Sequence, residues 1–166
     1  MDLRIADIVN DSIVDGPGLR LTVFTQGCVH NCKNCHNPST HDLNGGKIVD
    51  TDFIINKFFE NPLLDGITFS GGEPFLQPKP LSVIAKAIKE KGFNVIAYTG
   101  YTWEKLIEEK DKYIDLLKYT DIVIDGPFVD DLKSYDLHFR GSSNQRSIDV
   151  QKSLLENKII LYEFDC

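Results

Sequence analysis

The sequence has 166 residues, of which 42% are apolar, with 25 acidic and 18 basic side chains for a net charge of −7. That length fits one domain, since single domains commonly hold about 100–200 residues, and residues 1–166 are taken as one. Nucleic-acid binders neutralise phosphates with clustered Lys and Arg, and no basic stripe is present, so such a partner is excluded. No run of about 18 apolar residues exists to span a membrane.

Residues 1–7 lack a basic segment followed by an apolar one, so no signal peptide is expected and the protein is read as cytoplasmic, without a membrane partner. Residues 19–26 (LRLTVFTQ) are apolar and β-branched and predict a buried strand. The following stretch, 27–44, is rich in Cys, His, Asn and Gly without periodicity and reads as a loop. Residues 52–60 follow Thr51 as a cap signal and predict a helix, with Phe53, Phe58 and Phe59 assigned to the core.

Residues 66–70 predict a short strand ending in Gly71-Gly72. A helix over 80–91 carries Leu81, Ile84, Ala85 and Ile88 on one face, with Gly92 at its C-terminal cap. Residues 94–98 predict a strand ending in Thr99-Gly100. Thr102 caps a helix that opens with Trp103, and Asp111 caps another. Residues 121–125 predict a fourth strand, ending in Gly126-Pro127. Strands near 148–150 and 159–162, with a helical turn between, complete the chain.

Strand–helix–strand order implies parallel pairing with helical crossovers. A doubly wound sheet and a β/α barrel share this pattern, and a full barrel needs about 250 residues, so a barrel here is partial. In both, ligands sit at the C-terminal ends of strands, where every polar or Gly-rich feature of this chain falls.

The strongest such feature is Cys28-Val-His-Asn-Cys32-Lys-Asn-Cys35. Three thiolates at this spacing can hold three corners of an iron–sulfur cubane, leaving one iron open. The residues alone also leave room for a zinc site completed by His30, His36 or His41. The fourth cysteine, Cys166, reads as a thiol without function. Neither a Ser–His–Asp arrangement nor a paired-carboxylate one is visible.

With Gly71-Gly72-Glu73-Pro74 at the next strand end, the cysteine motif resembles the radical S-adenosylmethionine (SAM) superfamily. Asp15-Gly-Pro-Gly-Leu-Arg20, Gln26-Gly-Cys28 and Cys35-His-Asn-Pro-Ser-Thr40 are similar to glycyl-radical-enzyme activases. Asp125-Gly-Pro-Phe128 and Arg140-Gly-Ser-Ser-Asn-Gln-Arg146 resemble the activases of anaerobic ribonucleoside-triphosphate reductase. The resemblance covers residues 7–150 and implies a single-domain α/β fold, a partial β/α barrel.

It further implies a [4Fe–4S] cluster on Cys28, Cys32 and Cys35, with SAM on the open iron. Gly71, Gly72 and Glu73 are expected at the SAM ammonium, and Thr99, Asp125 and Asn144 at the SAM pocket. Relatives often carry an aromatic residue at position 34, so here the backbone of Asn34, Cys35 and His36 is expected to meet adenine. The implied partners are the reductase, which receives a glycyl radical, and a flavodoxin-like electron donor; no catalytic side chain is expected beyond the cluster and SAM. Three alternatives remain: a 7-carboxy-7-deazaguanine synthase-like enzyme on a small molecule, an activase of another glycyl radical enzyme, and a zinc-binding interaction module.

Overall fold

The computed structural model describes residues 1–164; Cys166 lies outside them. Seven strands form one sheet: β1 (Asp2–Ser12), β2 (Arg20–Thr25), β3 (Lys47–Asp50), β4 (Gly66–Gly71), β5 (Asn94–Tyr98), β6 (Ile122–Asp125) and β7 (Arg146–Asp149). Their spatial order is β3-β1-β2-β4-β5-β6-β7. The expected parallel pairing holds across β2, β4, β5 and β6. The flanking strands β1, β3 and β7 pair antiparallel.

The helices are α1 (Thr51–Phe59), α2 (Pro78–Glu90), α3 (Trp103–Glu108), α4 (Lys110–Leu117) and α5 (Val150–Glu156). Because the parallel strands step in one direction, right-handed crossovers put their helices on one face. The sheet is therefore singly wound, which removes the doubly wound option. Leu21 and Val23 of β2, Ile67 and Phe69 of β4, and Val95 and Ala97 of β5 form the core with Leu81, Ile84, Ala85 and Ile88 of α2. A second, small cluster holds Ile96, Ile122 and Ile124, with Tyr98 and Phe139 packed against it.

Helix boundaries follow local chemistry. Asp50, rather than Thr51, caps α1 by accepting the Asp52 N–H at 2.8 Å. Thr102 caps α3 as expected, accepting from Lys105 N–H at 3.3 Å. Asp111 is no cap: α4 begins at Lys110, so Asp111 sits in its first turn, where a carboxylate favours the helix dipole. Phe58 is buried as expected, whereas Phe53 and Phe59 are 49% and 42% exposed on the outer side of α1.

Strands β1 and β3 were not expected. Of the eleven residues of β1 only Leu3, Ile5 and Ser12 are buried, and two register shifts interrupt its pairing, so its alternation is faint. Near the C-terminus the helical turn is the full helix α5. The strand expected over 159–162 reduces to one bridge, Ile148 with Leu161.

Candidate active site

The C-terminal ends of β2, β4, β5 and β6 open on one cavity of about 900 Å³. Cys28, Cys32, Cys35 and His36 line it from the loop after β2. Gly71 and Gly72 after β4, Thr99 and Gly100 after β5, and Gly126 after β6 complete that rim. The convergence of four strand ends read from the sequence is thus present.

Cys28, Cys32 and Cys35 are free thiols and half-buried. Asn31 and Asn34 take left-handed backbone conformations, φ 51° and 54°, which asparagine tolerates better than most residues. These reversals let thiols at three separate positions of a short loop share one cavity. Burial pushes the Cys28 thiol above its ordinary value, against the opposing pull of the His30 backbone N–H. Among the described residues no three His, Cys, Asp or Glu side chains stand close enough to share a single ion. A cubane asks for something else, since each thiolate takes its own iron. Three thiols on one cavity wall fit that requirement.

The Gly71-Gly72 turn is stitched to the start of the cysteine loop. Gly72 N–H donates to Thr25 O at 2.8 Å, and Glu73 N–H donates to Gly27 O at 2.7 Å. Gly71 has φ +94°, and a Cβ there would strike the β2 backbone at Thr25 and Phe24. The turn therefore brings bare backbone to the cavity wall, where it can meet a small cationic group. The Glu73 side chain is fully buried and is not part of that wall.

Three other expected residues serve neighbouring structure and are also absent from the lining. Asn34 donates through Nδ2 to Asp130 Oδ2 at 3.0 Å, tying the cysteine loop to the segment after β6. Asp125 is buried, accepting the Trp103 N–H at 2.7 Å and pairing with Arg146. Asn144 donates to Pro127 O at 2.8 Å and so holds the turn that carries Gly126. His36 does line the cavity, its ring 4.5 Å from that of Phe128.

Sequence reasoning did not single out the cavity's other wall. Tyr98 lines it and donates its hydroxyl to Phe139 O at 2.6 Å; burial pushes that hydroxyl above its ordinary value. Asp15 also lines it, its carboxylate accepting from Ser12 Oγ at 2.5 Å and Thr22 Oγ1 at 3.1 Å. Exposed Ile13, Val14 and Tyr135 stand at the mouth. The available signal was the alternation of β2, which turns Thr22 away from the helices while Leu21 and Val23 face them.

Comparison with known proteins matches residues 14–148 to the family model described as a 4Fe-4S single cluster domain. The anaerobic ribonucleoside-triphosphate reductase-activating protein of Escherichia coli K12 is 38% identical over 142 residues, 80% of this chain and 90% of its own length. Its namesake from Enterobacteria phage T4 is 32% identical over 142 residues, 80% of this chain and 85% of its own. The pyruvate formate-lyase-activating enzyme of Clostridium pasteurianum is 41% identical over 135 residues, 77% of this chain and 54% of its own. Among solved structures, QueE from Escherichia coli aligns with a TM-score of 0.47 and 14% identity, over 61% of this chain and 54% of its own.

Proposed function

Because the chain belongs to the 4Fe-4S single cluster domain family, as a glycyl-radical-enzyme activase of the radical SAM type, we propose that it activates an anaerobic ribonucleoside-triphosphate reductase. The observation that carries this reading is the meeting of Cys28, Cys32 and Cys35 with the Gly71-Gly72 backbone on one cavity.

Cys28, Cys32 and Cys35 hold the [4Fe–4S] cluster, and Gly71 and Gly72 offer backbone to the SAM ammonium. When bound, the cluster and SAM would supply one-electron reductive cleavage of SAM, the radical chemistry that a glycyl radical on the reductase requires. Thr99 and the backbone of residues 34–36 bound the space left for the nucleoside. Asp125 and Asn144 act one layer back, by fixing the Gly126 turn.

The singly wound sheet is read as a partial β/α barrel, in which the cavity is the lumen and the open side admits a loop of a macromolecular substrate. Exposed Ile13, Val14 and Tyr135 at the mouth support that reading, since they offer apolar contact to an entering chain. A flavodoxin-like donor supplies the electron, and the protein works in the cytoplasm. No helix among the described residues is long and apolar enough to cross a membrane.

The test is to incubate the reduced, cluster-loaded protein with SAM and the reductase without oxygen and record the EPR spectrum. A doublet glycyl signal on the reductase is expected. Cleavage of SAM with no radical on the reductase, but with turnover of a free metabolite, overturns the choice of substrate.

A further inference from the structure

Glu73 has 0% exposure, and four donors converge on its carboxylate. Phe75 N–H reaches Oε2 at 2.9 Å, and Gly100 N–H reaches Oε1 at 2.7 Å. Thr99 Oγ1 lies 2.8 and 3.0 Å from the two oxygens, and His30 Nε2 lies 2.5 Å from Oε1. An ionised carboxylate only accepts, through about four lone-pair sites, so the His30 ring donates and the four donors fill the group. No acceptor capacity remains for an ammonium from the cavity.

Phe75, Thr99 and Gly100 belong to the turns closing β4 and β5, but His30 comes from the cysteine loop, 43 residues before Glu73. Its seat is shaped for it. A Cβ on Gly100 would collide with the imidazole, and the Tyr101 ring meets it edge-on at 4.6 Å. His30 stands midway between Cys28 and Cys32 in a loop without regular structure. Fixing this side chain therefore fixes the backbone that carries two of the three thiols.

We propose that His30 and Glu73 are a positioning pair that docks the cysteine loop on the ends of β4 and β5, so that the Glu73 side chain serves the cluster's ligands rather than SAM. The inference rests on the reading of Cys28, Cys32 and Cys35 as cluster ligands, and it assigns the motif's SAM contact to the Gly71-Gly72 backbone alone. Hydrogen bonds to charged groups are strong and short, and a buried one holds a loop far better than solvent-facing contacts do.

The experiment uses the full chain and two readouts. Hydrogen exchange of the residue 28–35 amides is followed in the iron-free protein, with the β4 and β5 amides as an internal reference. Iron and sulfide per chain are then measured after anaerobic reconstitution. His30→Ala is expected to speed exchange of the loop amides by about tenfold or more, the scale of one hydrogen bond to a charged group, and to lower iron uptake. His30→Gln, which keeps a donor, is expected to restore both in part. In a Glu73→Gln background His30→Ala is expected to add little, because its partner is already altered. Loop exchange unchanged in His30→Ala, or effects of the two substitutions that simply add, overturns the pairing. If the unaltered protein takes up no iron the functional reading fails, whereas the exchange data still decide whether the loop is docked through His30.

Discussion

Arg146 Nη2 lies 2.6 Å from the Asp125 carboxylate, which is only 1% exposed. The same carboxylate accepts the Trp103 N–H that opens α3, so the end of β6, the start of α3 and the start of β7 share one anchor. Arg146 also reaches the exposed Glu104 at 2.6 Å. The hydrogen bond to Asp125 holds the guanidinium above its ordinary value, so its stabilisation is complete at neutral pH and lost only in strong alkali.

Removing the cation strands a buried carboxylate. Arg146→Ala is expected to lower stability by about 3 kcal/mol, the scale for breaking one side of a buried pair. Glu104→Gln is expected to change it by less than about 1 kcal/mol, as for other exposed pairs. Urea unfolding of the two variants side by side checks the ranking.

Arg20 is buried, and its hydrogen-bond partners are neutral hydroxyl, carbonyl and amide oxygens rather than carboxylates. Its Nε donates to Thr68 Oγ1 at 2.7 Å, Nη1 to Pro17 O at 3.1 Å, and Nη2 to Ile67 O and Asn94 Oδ1, each at 2.8 Å. Burial pushes the guanidinium down to about 10, which leaves it charged at neutral pH. A lysine has a single compact head and cannot span these directions. Arg20→Lys is expected to cost about 2 kcal/mol by the same measurement.

The Asn34 hydrogen bond, chief among several causes, holds the Asp130 carboxyl below its ordinary value. A carboxyl with a depressed folded-state value contributes stability that is present at neutral pH and lost as pH falls through that value. Asn34→Ala is expected to move the Asp130 titration upward and to narrow this acid window. NMR titration of the side-chain carboxyl carbon reads the change directly.

His41 lines the cavity, and its buried Nε2 has no hydrogen-bond partner among the described residues. An unmet polar atom of this kind costs about 1–3 kcal/mol. His41→Phe is expected to raise the stability of the iron-free protein by about 1 kcal/mol. Thermal unfolding of the iron-free variant reads this without any contribution from bound groups.

The parallel half of the sheet was legible because each strand is a short apolar run closed by a turn signal, as in Gly66–Gly71 and Asn94–Tyr98. Helix α2 was legible because its buried residues recur at helical spacing. β1 was not, since most of its side chains are exposed and its bulges break the period. At the site, the cysteines and strand-end glycines could be placed by topology alone. The side chains of Glu73, Asp125 and Asn144 could not: their directions depend on His30, Arg146 and Pro127, which only the folded chain brings alongside.

The most direct measurement is anaerobic: load the protein with iron and sulfide, reduce it, and record the EPR spectrum before and after SAM while assaying 5′-deoxyadenosine. The radical SAM reading requires a reduced-cluster signal that changes on adding SAM, with 5′-deoxyadenosine released, and loss of both when Cys28, Cys32 or Cys35 is replaced by Ala. Stoichiometric zinc in place of iron, or a cluster whose spectrum ignores SAM, would contradict it.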